Sequence, residues 1–304
     1  MVPHGGRVDV HHHLVPGFWK EAARDLDPHV ALMPEWSESE VLRGMDALGT
    51  RLALLSLTSP GVREAKLART VNEFGAEVAR RRPDRFGLLA CLPLHDPQAA
   101  VAEAEYALDA LGADGVAVLS NAGGRYLGDP EFRPLWEALD RRGAPVLVHP
   151  TSPPGLAELP GVEGWAEWPF DTTRTALHMV AGGVLRAHPS LKVILAHAGG
   201  FLPYQAARFE ELAALTPGSN GEAVREDLRR FFFDTALSTR PATLRALLAF
   251  AGAGHVLFGT DLPAAPPGVA AALAAELDAY LEATPEAAYA IASGTARTLF
   301  GKEH

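Results

Sequence analysis

Short runs of consecutive apolar residues recur along this chain, and the longer stretches between them place apolar residues three and four apart. The first pattern is that of strands buried on both faces and the second that of amphipathic helices. Their alternation predicts βα units around a parallel sheet. The strand candidates in the first half are 8–12 (VDVHH), 52–57 (LALLSL), 86–92 (FGLLACL) and 114–120 (DGVAVLS). The second half supplies 144–149 (APVLVH), 191–197 (LKVILAH), 229–235 (RRFFFDT) and 255–261 (HVLFGTD). Eight parallel strands are what a closed (β/α)8, or TIM, barrel needs. Helical periodicity covers 38–49, 65–81, 97–111, 130–142, 177–188, 271–282 and 285–300, with Gly182 and Gly183 interrupting the fifth.

Two segments are longer than a minimal connection. Residues 14–37 carry Pro16, Phe18, Trp19, Pro34 and Trp36, and the proline-rich 150–173 carry Trp165, Trp168 and Phe170. Both leave the C-terminal end of a strand, where a barrel holds its active-site loops. Trp36, Trp165, Trp168 and Phe170 are therefore candidates for the wall of a pocket that takes a flat or apolar substrate. Asn121, just past the fourth strand, is a candidate for its edge. The competing reading is that these aromatics tether long loops to the barrel. No repeat is visible, and PAAPPG at 263–268 is too short to divide the chain, so one domain over residues 1–304 is expected.

Composition narrows the partners. With 48% hydrophobic residues the chain has the apolar mass for a large core. A formal charge of -10 weighs against nucleic acid or an anionic membrane, which would repel the average surface. The single cysteine, Cys91, rules out an intrachain disulfide and a cysteine-based zinc site, and its apolar run reads as buried packing. There is no secretory pattern at the start and no run that would span a bilayer, so a cytoplasmic location is expected.

The candidate chemistry lies at the ends of the strands. His11 and His13 flank His12 in the first, His149 ends the fifth, His197 ends the sixth and Asp261 closes the eighth. Alternate residues of a strand share a face, so His11 and His13 can point together while His12 points away. In a parallel barrel the C-terminal strand ends meet on one rim and would bring all five groups together. Imidazole and carboxylate are donors for zinc, and mixed N/O sites suit manganese or iron as well. His95, His178, His188 and His255 lie away from that rim and read as structural. Asp234, ending the seventh strand, is a candidate to brace the site, and His12 reads as structural or supporting.

These residues carry a resemblance. Asp9-x-His11-x-His13, VLVHP at 146–150, LAHAGGFLP at 195–203 and LFGTDLP at 257–263 are similar, in order, to the markers of the amidohydrolase superfamily. The similarity is to its amidohydrolase-2 branch, related to aminocarboxymuconate-semialdehyde decarboxylase. LSLTSPG at 55–61, RFGLLACLPL at 85–94 and the stretch 111–132 resemble members that decarboxylate hydroxybenzoates, such as the 6-methylsalicylate and 5-carboxyvanillate decarboxylases. AAPPG after the aspartate and Thr295 in SGTARTLF depart from the usual pattern, without removing a site residue.

The resemblance implies a single divalent metal, zinc before manganese, held by His11, His13, His149 and Asp261, with His197 beside it. It implies non-oxidative decarboxylation of a hydroxybenzoate-like or carboxymuconate-like acid, with Asp261 as proton donor and His197 orienting the carboxylate or shuttling the proton. Arg208, beyond the HAGG segment, is a further candidate for meeting a substrate carboxylate. The homodimer expected here rests on the family alone. Two other readings use the same residues: a lactonase or amidohydrolase that activates a metal-bound water, and a barrel that binds its ligand without turnover.

Overall fold

The computed structural model describes residues 6–153 and 162–301. Part of the second long loop, 154–161, lies outside the described residues. Eight parallel strands follow one another in sequence order around one sheet: β1 (Arg7–His13), β2 (Thr50–Ser56), β3 (Phe86–Cys91), β4 (Gly115–Leu119), β5 (Pro145–His149), β6 (Lys192–Leu195), β7 (Phe232–Asp234) and β8 (Val256–Leu257). Backbone bonds from Val10 N to the Phe258 carbonyl (3.0 Å) and from His13 N to the Leu262 carbonyl (2.6 Å) join β1 to the chain beyond β8. The sheet thereby becomes the TIM barrel that the strand pattern predicts. A two-residue hairpin, Asn121–Ala122 with Arg125–Tyr126, stands at the exit of β4.

Each strand separates two apolar layers. Val10, Leu54, Leu89, Leu147, Ile194 and Leu257 fill the interior, closed at the N-terminal end of the strands by Ala296 and Leu299 of the C-terminal helix. The opposite faces, Val116, Val118, Val146, Val148, Val193 and Phe233 among them, pack against the surrounding helices. This double burial is why the strands read as continuous apolar runs. Helix starts follow local chemistry: Asp96 accepts from Gln98 N (3.0 Å) and Ala99 N (3.1 Å) ahead of Pro97, opening Pro97–Asp109.

The structure differs from the pattern in several places, and short helices Gly17–Ala23 and Pro28–Leu32 already interrupt the first long loop. Helices Leu202–Leu215, Gly221–Leu228 and Pro241–Ala251 fill connections to which periodicity assigned none. The helix expected at 177–188 instead runs Trp168–Ala181 and stops at the glycine pair, where Gly183 takes a φ of 69°. β6 and β8 end before His197 and Asp261, which sit on turns beyond them.

Cys91 is buried at the end of β3, where Asn72 clamps its backbone by donating to its carbonyl (2.9 Å) and accepting from its N–H (2.9 Å). Burial, aided by the negative Glu103, pushes its thiol far above the ordinary range, so the reactive thiolate is suppressed. The folded protein should therefore resist an aromatic disulfide reagent at pH 8 and react promptly once unfolded in guanidinium. Prompt reaction of the native protein would contradict this burial.

Candidate metal centre

The polar rim begins with an irregularity in β1. Asp9 pairs with Ala53 and His12 with Leu55, so β1 spends three steps where β2 spends two. This bulge reverses the alternation. Val8 and Val10 line the barrel interior, and beyond the bulge His11 and His13 turn inward instead of His12. His12 turns toward the barrel seam, where its Nδ1 lies 3.1 Å from Asp9 Oδ2 and its backbone bridges Leu262. Asp9 also accepts from Thr260 Oγ1 (2.6 Å), Thr260 N (3.1 Å) and His11 N (3.1 Å), tying the first strand to the turn that carries Asp261.

His11, His13, His149 and Asp261 converge, all buried, with their donor atoms within 4.8 Å of one another. His11 Nε2 lies 3.2 Å from His13 Nε2 and 3.3 Å from Asp261 Oδ1, which is 2.9 Å from His13 Nε2. Outer partners set the ring tautomers. His11 Nδ1 donates to Asp234 Oδ2 at 2.7 Å and His149 Nδ1 to the Pro150 carbonyl at 2.7 Å, so in each neutral ring the Nε2 lone pair points inward. Lone pairs at these separations repel unless a cation stands among them, and the spacings suit donors about 2 Å from a shared ion. The residues fit a divalent metal.

The electrostatics agree. Burial opposes charge on His11, but Asp234 and Asp261 outweigh it and raise its pKa to about 10, a measure of how strongly this point attracts positive charge. Burial drives His149 well below its ordinary value, with His13 and His11 adding to the effect, and burial also lowers His13. Both therefore stay neutral and able to ligate. Burial would raise Asp261, yet the imidazoles of His11, His13 and His197 around it hold it well below the usual carboxylate range.

His197 completes the group from a turn. Its Nε2 is buried without a hydrogen-bond partner and lies 3.5 Å from Asp261 Oδ2, while its N–H donates to Asp234 Oδ1 at 2.9 Å. Asp234 thus holds the His11 ring with one oxygen and the His197 backbone with the other. His197 (φ 53°), Ala198 (φ 55°) and Asp261 (φ 63°) occupy the left-handed region, a strained conformation held by the bonds around them. Gly200 lets this turn lie against the neighbouring helix, since a Cβ there would stand 2.1 Å from the Pro169 carbonyl oxygen.

His13, His197 and Asp261 face a cavity of about 1320 Å³. Its wall is mostly apolar and includes Val15, Met33, Trp36, Trp168, Phe201, Leu247 and Pro263. The strand-end histidines and carboxylate, the barrel and the cavity agree with one family, and the Amidohydrolase family pattern matches residues 8–302. The chain belongs to the amidohydrolase family. It is 37% identical over 317 residues to a 6-methylsalicylic acid decarboxylase of Penicillium expansum, covering 97% of this chain and 96% of that relative. A 2,6-dihydroxybenzoate decarboxylase solved with 2,6-dihydroxybenzoate is similar in structure, with a TM-score of 0.83 and 25% identity over 98% of this chain and 99% of that one. A dihydroxybenzoic acid decarboxylase from Polaromonas sp. JS666, with bound manganese and the inhibitor 2-nitroresorcinol, shares the fold at a TM-score of 0.83 and 24% identity, over 97% of each chain.

Within this amidohydrolase barrel the pocket candidates separate. Trp36, Trp168 and the exposed Trp165 line the cavity. Three others lie outside that lining. Phe170 is 41% exposed and outside the lining, within reach of the Arg174 guanidinium. Arg208 is exposed on the outer helix Leu202–Leu215. Asn121 turns away, its amide donating to Asp171 Oδ2 at 2.9 Å. Trp19 tethers its loop through Nε1 to the Gly61 carbonyl (2.8 Å). His178 accepts from Gly128 N (3.1 Å) and His255 Nδ1 donates to the Phe231 carbonyl (3.0 Å), both structural.

Asp171 was not singled out by the sequence. It is fully buried and accepts from Ser120 Oγ, Asn121 Nδ2 and Tyr126 OH (2.5 Å). Ser120 in turn donates its N–H to the His149 carbonyl at 2.8 Å and accepts from Thr151 N at 3.1 Å. Asp171 therefore fixes the strand exit that carries His149. In the sequence it lies in the proline-rich stretch 150–173, to which no periodicity was assigned, so nothing there marked an inward-facing position.

Two substitutions test this arrangement. Asp234→Asn removes the acceptor that orients His11 and should weaken metal retention about 10- to 100-fold, measured by competition with a chelator. Gly259→Ala would bring a Cβ to 3.0 Å from His11 Cβ and 3.1 Å from Asp234 Cβ, and should weaken retention in the same direction. Unchanged affinity in Asp234→Asn would show that the His11 ring is held by other contacts.

Proposed function

We propose that this chain is a metal-dependent, non-oxidative decarboxylase of a hydroxybenzoate-like acid, releasing CO2. The observation that carries the reading is the floor of the cavity, where a metal-competent cluster, the partnerless His197 Nε2 and Asp261 share one face beneath an aromatic wall. The decarboxylase relatives support the reaction class. His11, His13, His149 and Asp261 would hold the ion. Once bound, it supplies Lewis-acid attachment for the substrate carboxylate and its neighbouring phenolic oxygen.

Asp261 offers Oδ1 to the histidine cluster and Oδ2 toward His197. Ionised at neutral pH, it takes a proton from the acidic hydroxyl of the substrate and delivers it to the ring carbon that bears the carboxylate. That carbon gains a C–H bond, the C–C bond breaks, and its electron pair restores the aromatic ring as CO2 departs. His197 orients the carboxylate through Nε2 and exchanges the proton with Asp261, a role suited to imidazole near neutral pH. An imidazole-rich donor set binds zinc more tightly than manganese, a solved relative holds manganese, and metal analysis of the isolated protein reads the ion. The reading also takes residues 1–304 as one domain in a cytoplasmic protein, and takes that protein as a homodimer, as the family resemblance implies. Among the described residues no helix is long and apolar enough to cross a membrane.

The test is CO2 release from a panel of ortho-hydroxybenzoates by metal-loaded protein. Chelation or Asp261→Asn should abolish release, and His197→Asn should slow it about 100- to 10,000-fold, the range of a lost proton-transfer group. No release from folded, metal-occupied protein would overturn the reading and direct the same panel toward lactones and amides.

A further inference from the structure

The wall of the cavity has a charge pattern that bears on which acids it takes. Above His13, His197 and Asp261, the described lining holds two carboxylates, Glu35 and Glu40, and no lysine or arginine. The basic groups nearby are already paired, Arg43 with a carboxylate of the wall itself. Arg43 pairs with Glu40, Lys20 Nζ donates to the Met33 carbonyl (2.5 Å), and His29 Nδ1 lies 3.1 Å from Asp27 Oδ1.

A carboxylate placed on this wall would give up water without gaining a partner, and it would face Glu35 and a Glu40 whose counter-ion Arg43 is already taken. An unpaired charge in such surroundings is strongly disfavoured. Apolar substituents meet the opposite situation. The cavity of about 1320 Å³ far exceeds the roughly 150 Å³ that holds a benzene ring. Its wall offers Val15, Met33, Trp36 and Leu247 to cover an alkyl group.

Building on the decarboxylase reading, we infer that the cavity selects acids with a single carboxylate, anchored at the metal centre, whose remaining substituents are uncharged and apolar. A second carboxylate on the ring is rejected. This separates the two acid classes left open by the sequence, because a carboxymuconate-type acid brings more than one carboxylate. It favours a hydroxybenzoate bearing alkyl groups.

The experiment uses metal-loaded protein and unreactive analogues in which a nitro group replaces the scissile carboxylate of an ortho-hydroxybenzoate. One set carries hydrogen, methyl or propyl on the ring, and the other a carboxylate at the same position. Calorimetric affinities should hold or rise along the alkyl set and fall about 100-fold for the carboxylate, the order expected for an unpaired charge. Glu40→Lys and added salt should each narrow that gap about threefold, because the wall charges are partly exposed and screened. Equal or tighter binding of the carboxylate analogue by the wild type would overturn the inference. So would a preference that neither Glu40→Lys nor salt alters, since that preference would be steric. CO2 release from the alkylated acids is measured separately. Its absence alongside intact alkyl selectivity would sink the reaction and leave the charge selection standing.

Discussion

Three imidazole nitrogens and one carboxylate oxygen, all on buried residues, meet within 4.8 Å at the rim of the barrel, and the upper half of the structure is arranged around that concentration of lone pairs. Left without a positive charge, buried donors at such separations oppose folding. With a divalent ion among them they become a strong constraint that binds four distant parts of the chain. The bulge in β1, the Asp234 brace and the left-handed turns at His197 and Asp261 each make local sense only as ways to aim a donor at one point. Each left-handed non-glycine residue costs about 1–3 kcal/mol. Such strain persists where surrounding bonds over-determine it, as the Asp261 N–H bond to the His11 carbonyl (2.8 Å) does here.

The same demand shapes the barrel seam. β8 is a two-residue strand, because the chain must leave the ladder after Leu257 to bring Asp261 inward. Ladder bonds lost there are replaced by the Asp9 carboxylate, which accepts from Thr260 at both the backbone and the hydroxyl. Closure of the barrel and placement of Asp261 are therefore one structural event, and Asp9 joins them. The lower half of the barrel, filled by Val10, Leu54 and Ile194 and capped by Leu299, carries no such polar demand and supplies the rigid base.

How much of this was legible in the sequence follows from the same physics. The strands were, because burial on both faces leaves an apolar run and a polar residue at its end marks the rim. His11, His13, His149 and Asp261 were readable for that reason, and Asp234 for the same one. Helix Pro241–Ala251 was not, since PATLRALLAFA has almost no polar face to set its period. Helix Leu202–Leu215 buries only Leu202 and Ala206, too thin a stripe to register. Loop side chains were the other failure. Trp168 and Phe170 lie two residues apart, yet one lines the cavity and the other faces solvent, a difference set by the helix that begins at Trp168. Asp9 was visible in its motif, but its partner Thr260 lies 251 positions away, and only closure of the barrel brings them together.

The wall and the centre together also bear on turnover. The fold alone does not choose a reaction, and the same donor set serves hydrolysis as well as decarboxylation. With no lysine or arginine in the described lining, attraction for an anionic substrate is concentrated at the metal-competent cluster, where bond breaking takes place. Binding energy then acts on the group that changes during the reaction, and a remote anchor that would hold substrate and product alike is missing. When the carboxylate leaves as CO2, the remaining phenol has lost one of its two points of attachment at the metal, and the phenolic oxygen and apolar contacts alone retain it. A cavity of this kind loosens its hold on the product because the chemistry has removed the charged half of the anchor.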